Sequence, residues 1–129
     1  MGTTTTTTQK PSLYERLGGE PGVRKIVNDI LDRNLNNAVI GHHFQKVDMG
    51  KLKQLVFEFF SMGIGGPHTY TGRDMRTAHT NLNISEEDFL RANHDTLLAL
   101  EDNEVEEAER NEVIAILDSM KNDVVAAKT

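Results

Sequence analysis

The sequence predicts a small all-α domain, and three of its features lead to this fold class. Its 129 residues are enough for one domain with a single modest core. Apolar residues recur three and four positions apart through most of the chain, which is the period of an α-helix, and no stretch alternates with the period of a strand. Clusters of glycine and proline divide the chain into long helices and several short helical pieces.

One short helix and one long helix are predicted before residue 37. Ser12 can cap the short helix, and the glycine pair at residues 18–19 ends it. The long helix starts near Pro21, because proline is tolerated in the first turn, and runs to about Asn36. Its apolar positions are Val23, Ile26, Val27, Ile30 and Leu31.

A turn of helix over residues 38–44 precedes a second long helix, for which Asp48 is the predicted cap. The glycine- and proline-rich stretch at residues 63–67 cannot continue a helix and ends this one. Its apolar face is expected to comprise Leu52, Leu55, Val56, Phe59 and Phe60.

Two further long helices are predicted in the second half of the chain. A loop over residues 68–74 leads to a short helical turn at residues 75–80. Ser85 and Asp88 delimit a capping box that starts the third long helix. The last helix is expected to run from Glu104 to Ala126, with its apolar stripe at Val105, Ala108, Val113, Ile116, Leu117, Met120 and Val124.

The composition excludes several classes of function. A net charge of −6 without any basic block argues against a nucleic-acid partner. The absence of cysteine excludes disulfides, thiolate metal sites and cysteine nucleophiles. No apolar run approaches the length of a membrane span, so stable membrane insertion is not expected. The first twelve residues lack the apolar centre of a secretory signal, and we therefore expect a cytoplasmic protein.

Residues 1–11 are expected to form a disordered arm, because the threonine run over residues 3–8 has nothing apolar to bury. Met1-Gly2 followed by Thr6 also fits the permissive pattern for N-myristoylation, with Gly2 as the acceptor. A single acyl chain would anchor the protein only weakly. The folded domain is expected to span residues 12–129.

Helical periodicity alone leaves an interaction module, a metal bundle and a cofactor pocket open. Helical metal bundles place a Glu three residues before a His on at least two helices. None of the five histidines, at positions 42, 43, 68, 79 and 94, has such a partner, so a di-iron or zinc site is not expected. The glycines at residues 63–66 follow a helix and precede no lysine, which argues against a phosphate-binding loop.

Several short motifs occur together in the order and spacing of one known protein family. They are Leu-Tyr-Glu-Arg-Leu-Gly-Gly at residues 13–19, Phe at 44 with Val-Asp-Met at 47–49, Gly-Gly-Pro-His-Thr-Tyr-Thr-Gly-Arg-Asp-Met-Arg-Thr-Ala-His at 65–79, Leu-Asn-Ile-Ser at 82–85, and Lys-Asn-Asp-Val-Val at 121–125. Through these motifs the chain resembles the group I truncated haemoglobins from residue 12 to about residue 125. The resemblance implies a truncated globin, a two-over-two helical sandwich around one haem b.

The resemblance makes His79 the proximal ligand of the haem iron. Neutral imidazole is a standard axial ligand, which bonds iron through one ring nitrogen while the other donates to a backbone carbonyl. Without the motif, a lone histidine at this position would be read as an ordinary helix-surface residue.

The resemblance also implies the haem contacts. Phe44 matches the phenylalanine that lies flat on the porphyrin, and an apolar wall is expected from Leu52, Phe59, Phe60, Met75, Ile84 and Phe89. The alternative reading of this wall is plain core at helical spacing. Candidate partners for the propionates are Lys51, Lys53, Tyr70, Arg73 and Arg76, whose alternative role is that of solvated surface groups.

On the distal side of the iron the chain departs from its family. Leu31 stands where members usually carry a tyrosine, and the polar positions of the long distal helix are Leu52, Leu55 and Val56. Ala92 lines the pocket from the next helix, and His42 and His43 are expected as exposed residues at its rim. This apolar pocket predicts five-coordinate ferrous iron and, with one hydrogen bond lost, dioxygen release roughly ten- to a hundredfold faster.

Three functions remain open at this point. The first is reversible binding of a diatomic gas (dioxygen, nitric oxide or carbon monoxide) by a monomeric carrier, scavenger or sensor, served by a reductase. The second is enzymatic, either nitric oxide dioxygenation or a peroxidase-like reaction, although the missing distal tyrosine and acid–base group argue against it. The third is an interaction domain that has lost its haem, which an intact motif around His79 disfavours.

Overall fold

The structure, a computed structural model, describes residues 11–79, 82 and 84–125. Its helices are α1 (Leu13–Arg16), α2 (Gly19–Asn36), a 3-10 helix (Gly41–Phe44), α3 (Met49–Gly63), α4 (Met75–His79), α5 (Glu86–Asp102), α6 (Glu107–Asp118) and α7 (Lys121–Val124). Within the described residues there is no strand, so the predicted all-α class is confirmed. Residues 1–10, including the candidate acylation site Gly2, lie outside the described residues.

The helix starts predicted at Ser12, Asp48 and Ser85 are confirmed by their caps. Ser12 Oγ accepts a hydrogen bond from the Glu15 amide at 3.2 Å, and the Glu15 carboxylate accepts one from the Ser12 amide at 3.1 Å. Asp48 accepts from the Lys51 amide at the start of α3. The Ser85–Asp88 capping box opens α5. These side chains satisfy amides that a helix terminus would otherwise leave unpaired.

Helix α2 lies at the centre of the core. Val23, Ile26 and Val27 on this helix are almost fully buried. Helix α2 packs against α3, α5 and the 3-10 helix, and α6 packs in turn on α5. The core therefore forms around one face of each long helix, and α2 contacts most of them.

Helix α3 does not bury the apolar face expected from its sequence. Its buried residues are Ser61 and Phe57, and the Phe57 ring lies under the Arg24 guanidinium of α2. The expected stripe is only half-buried along its whole length, at Leu52, Leu55, Val56, Phe59 and Phe60. Because successive residues turn by about 100° around a helix, the stripe lies beside the face that packs on α2 rather than on it.

The prediction of a single long C-terminal helix over residues 104–126 is wrong. Glu104 has a φ of 60°, which is left-handed backbone and cannot belong to a helix, and α6 begins only at Glu107. The Ser119 hydroxyl donates to the Ile116 carbonyl, and the Met120 amide bonds Leu117 three residues back. This competing local bonding ends α6, and the chain resumes as the short helix α7. Ala126 lies outside the described residues.

No helix within residues 11–79, 82 and 84–125 is both long and apolar enough to cross a bilayer.

The packing of α2 on α3 predicts a large cost for truncating Phe57, whose side chain is 1% exposed. Phe57→Ala should lower the free energy of unfolding by about 3–5 kcal/mol, because the cavity cannot fully collapse. Met62→Ala on the same helix, where the residue is 47% exposed, is the matched control and should change it by less than about 0.5 kcal/mol. Urea unfolding followed by circular dichroism measures both, and equal losses would contradict this account of the core.

Candidate functional site

His79 is the last residue of α4, and its ring is half-buried. Its Nδ1 lies 2.8 Å from the carbonyl oxygen of Met75, one turn earlier in the same helix. Since a carbonyl can only accept a hydrogen bond, Nδ1 carries the proton and Nε2 presents a lone pair. The imidazole is therefore held in the tautomer that coordinates a metal through Nε2.

Helix α4 and the apolar stripe of α3 are both incompletely packed. None of the five residues of α4 is buried. Helix α3, which carries the half-buried stripe, packs mainly on α2. It makes no extensive contact with α4 or α5. Helix α6 borders the stripe at Phe59 and Phe60. The half-buried apolar side chains of the stripe are a surface that a further apolar group can cover. Together with an imidazole whose Nε2 can bind a metal, this surface fits a flat apolar group that carries a metal, as haem does.

The other residues expected at the haem are buried or half-buried. Phe44 ends the 3-10 helix and packs, partly buried, against the core. Met75 and Ile84 are half-buried, and Phe89 is buried near the start of α5.

The distal positions are apolar throughout. Leu31 is buried in the core cluster, and Leu52 and Val56 pack against that cluster while remaining partly exposed. Leu55 and Ala92 are half-buried. Within the part of the chain that the structure describes, no three His, Cys, Asp or Glu side chains group as ligands for a metal ion. A metal at this site would therefore depend on His79 rather than on a multidentate cluster.

The expectation that both His42 and His43 are exposed rim residues is wrong for His43. His42 is exposed, but His43 is half-buried, with Nε2 3.3 Å from Asp88 Oδ2 at the start of α5. Partial burial raises the pKa of Asp88, but hydrogen bonds from Ser85 and His43 outweigh it and leave the pKa below its ordinary value. The pair ties the segment that carries Phe44 to α5.

The loop that leads into α4 is anchored on α3 by polar contacts. Ser61 Oγ lies 2.8 Å from His68 Nδ1, and the Glu58 carboxylate accepts from the Thr71 amide and hydroxyl at 3.1 and 2.8 Å. Hydrogen bonds from Gln54 and Thr71 hold the pKa of Glu58 below its ordinary value, so this anchor is charged at neutral pH. A Cβ on Gly66 would lie 2.1 Å from Ser61 Oγ, so only glycine fits there.

His68 holds the loop before α4 in place, a role that the sequence does not predict. Its ring meets Phe57 edge-on at 4.7 Å between centroids, and its Nε2 lies 3.6 Å from the Glu20 carboxylate on α2. No spacing in the sequence indicates this, because Glu20 and Phe57 are distant along the chain from the loop. His68 joins the loop to both α2 and α3.

Asp74 caps α4 directly. Its carboxylate accepts from the Thr77 amide at 3.2 Å, and its carbonyl accepts from the Ala78 amide at 2.8 Å. Hydrogen bonds from Thr77 hold the pKa of Asp74 below its ordinary value. The cap fixes where the helix that ends in His79 begins.

Most of the residues considered for the propionates have other partners. The Tyr70 hydroxyl donates to the Arg73 carbonyl at 2.5 Å, and its ring meets Phe59 edge-on at 5.1 Å. The Lys53 ammonium donates to Asn28 and Asp32 on α2, at 2.7 and 2.8 Å. Arg76 donates to the carbonyl of Asn122 at 3.2 Å. The side chains of Lys51 and Arg73 are exposed.

Comparison with known proteins identifies the family. The family model described as bacterial-like globin matches residues 12–126. A group 1 truncated haemoglobin from Synechocystis is 35% identical over 109 residues, which cover 81% of this chain and 88% of that protein. A group 1 truncated haemoglobin from Tetrahymena pyriformis is 26% identical over 114 residues, which cover 88% and 94%.

Solved structures agree in fold. The crystal structure of the truncated haemoglobin from Tetrahymena pyriformis in its Fe(III) form has a TM-score of 0.86 at 26% identity and covers 89% of this chain and 98% of that one. The 2/2 haemoglobin from Synechococcus, solved in the cyanomet state with covalently attached haem, has a TM-score of 0.84 at 30% identity with the same coverage. These neighbours confirm the two-over-two globin fold. The chain belongs to the bacterial-like globin family as a group 1 truncated haemoglobin, a family whose function is the binding of diatomic gases at a haem.

Proposed function

We propose that this protein binds a diatomic gas reversibly at a haem b whose iron is held by His79. The observation that carries the proposal is the hydrogen bond from His79 Nδ1 to the Met75 carbonyl, which leaves Nε2 for a metal. The haem would supply the iron at which dioxygen, nitric oxide or carbon monoxide binds. The half-buried stripe of α3 supports the same site, since it offers apolar surface for a porphyrin.

The porphyrin ring and its propionates would contact different sets of residues. Phe44, Met75 and Phe89 would contact the porphyrin, together with Phe59 and Phe60 from α3. The exposed cations Lys51 and Arg73 remain the best candidates for the propionates, because Lys53 has partners on α2 and Arg76 has partners on α7. The folded domain would extend over residues 12–129.

Leu31, Leu52, Leu55, Val56 and Ala92 would form the distal wall. None of these side chains carries a hydrogen-bond donor, so none can hold a polarised ligand in the pocket or coordinate the iron. Dioxygen, which gains most from a donor, should be released quickly, whereas carbon monoxide and nitric oxide should be affected less. The same wall lacks an acid–base group for peroxide chemistry. Gas binding therefore accounts for the site better than turnover does.

We expect a cytoplasmic monomer that depends on a reductase to keep its iron ferrous. A net charge of −6 favours a dispersed protein with no affinity for nucleic acid.

The role of His79 is tested by substitution. Purified wild-type protein supplied with haem should show an intense Soret band and an axial-histidine spectrum, and His79→Ala should lose that ligation. Added imidazole should restore it, because the free ligand can occupy the vacated position. His94→Ala is the matched control, since His94 is exposed on α5 and should leave the spectrum unchanged. Failure of the wild-type protein to take up haem, or an unchanged spectrum in His79→Ala, would refute the proposal.

The apolar distal wall is tested at Leu31. Leu31→Tyr should slow dioxygen release roughly ten- to a hundredfold, because the hydroxyl adds a hydrogen bond to the ligand. Leu31→Phe adds the ring without the hydroxyl and controls for the change in volume at this buried position. Stopped-flow displacement of dioxygen by carbon monoxide measures the rates. Equal release from the tyrosine and phenylalanine variants would show that Leu31 does not face the ligand.

A further inference from the structure

Helix α4, which carries His79, is held by the C-terminal end of the described chain rather than by the core. None of its five residues is buried. Its main helix neighbour is α7, the four-residue helix that follows the break at Ser119. The position of α4 therefore depends on contacts outside the hydrophobic core.

Two cations connect α7 to the elements on either side of His79. Arg76 on α4 donates to the Asn122 carbonyl at 3.2 Å and lies 3.6 Å from the Asp123 carboxylate. Lys121 donates to the Glu86 carboxylate, in the first turn of α5, at 2.5 Å. Helix α7 thus contacts the helix that ends in His79 and the helix that follows it.

The electrostatics of these contacts favour a positioning role over a large stabilising one. The hydrogen bond from Lys121 holds the pKa of Glu86 below its ordinary value, so the pair is fully charged at neutral pH. The four charged side chains are 41–64% exposed. Exposed ion pairs contribute little individually and are screened by salt. They can nevertheless select one orientation of a short helix that has no buried anchor.

We propose that α7 is a brace for the proximal side of the haem site, and that Arg76 and Lys121 are positioning residues for His79. This inference depends on the proposed role of His79 as the iron ligand. Because His79 Nδ1 is bonded to Met75 within α4, the imidazole moves with the helix as one body. A brace that fixes α4 therefore fixes the direction of Nε2.

The test compares Arg76→Gln, Lys121→Gln and the double variant with wild type. Each single variant should lose haem to excess apomyoglobin about two- to fivefold faster at low ionic strength, as expected for the loss of an exposed ion pair. The double variant should lose haem faster than either. Resonance Raman spectra of the ferrous proteins should show a shifted or broadened iron–histidine stretch. Lys121→Arg, which keeps the charge, should behave as wild type.

A second readout needs no haem. Amide hydrogen exchange over residues 75–79 of the haem-free protein should be faster in the double variant. Arg33→Gln is the matched control, because it breaks another exposed ion pair, with Asp102, that joins α2 to α5 away from α7. It should leave exchange in α4 and haem loss unchanged. Raising salt to about 0.5 M should speed haem loss from wild type by a larger factor than from the double variant.

The outcomes separate the two proposals. If the double variant keeps haem on His79 with wild-type loss rate, stretching frequency and exchange, the brace is wrong. If wild type takes up no haem, the proposed function fails, and the exchange measurement alone decides whether α7 holds α4: faster exchange supports the brace, and unchanged exchange refutes it.

Discussion

The packing of α2 against the Phe57 face of α3 is the constraint that places the site. Phe57 is buried against α2, the Arg24 guanidinium lies 4.0 Å above its ring, and His68 meets its edge. A helix is a rigid cylinder, so fixing one face of α3 also fixes the direction of every other face. The apolar stripe from Leu52 to Phe60 is consequently left only half-buried, although Leu52, Val56 and Phe60 still contact the core. This half-buried apolar surface is where the proposed haem would lie.

Helix α4, which carries the proposed iron ligand, is built differently from the rest of the domain. The long helices are held by buried side chains, whereas α4 is held by a cap at Asp74, an anchored loop and the contacts with α7. Polar contacts at the surface are weaker than core packing but more directional. The proposed haem site therefore combines a distal side that includes the core residue Leu31 with a proximal side that polar side chains orient. Substitutions near His79 should alter the site more readily than they alter the fold.

Much of the fold could be predicted from local signals. Capping residues and glycine pairs act within a few positions, so the starts at Ser12, Asp48 and Ser85 are readable from the sequence. The end of α6 cannot be predicted from the sequence, because the Ser119 hydroxyl competes with the backbone only in the conformation that it helps to create. The burial of Phe57 rather than Phe60 depends on which face α2 covers. Periodicity identifies an apolar helix but does not choose between adjacent faces.

The candidate site likewise contains residues that local sequence indicates and residues that it does not. His79 lies in a motif of contiguous residues, and its proposed role follows from the family. The pairs that hold the segments around the site, such as His43 with Asp88 or Ser61 with His68, have no such local signature. Each pair forms only when the chain brings two elements together, and nothing in either residue's immediate sequence indicates its partner.

The central claim is that one imidazole coordinates the iron while hydrocarbon fills the opposite side. Absorption and resonance Raman spectra of the reduced, ligand-free protein test it most directly. The account predicts five-coordinate haem with a single iron–histidine stretch. A six-coordinate spectrum with two protein ligands, or a protein that takes up no haem, would contradict it.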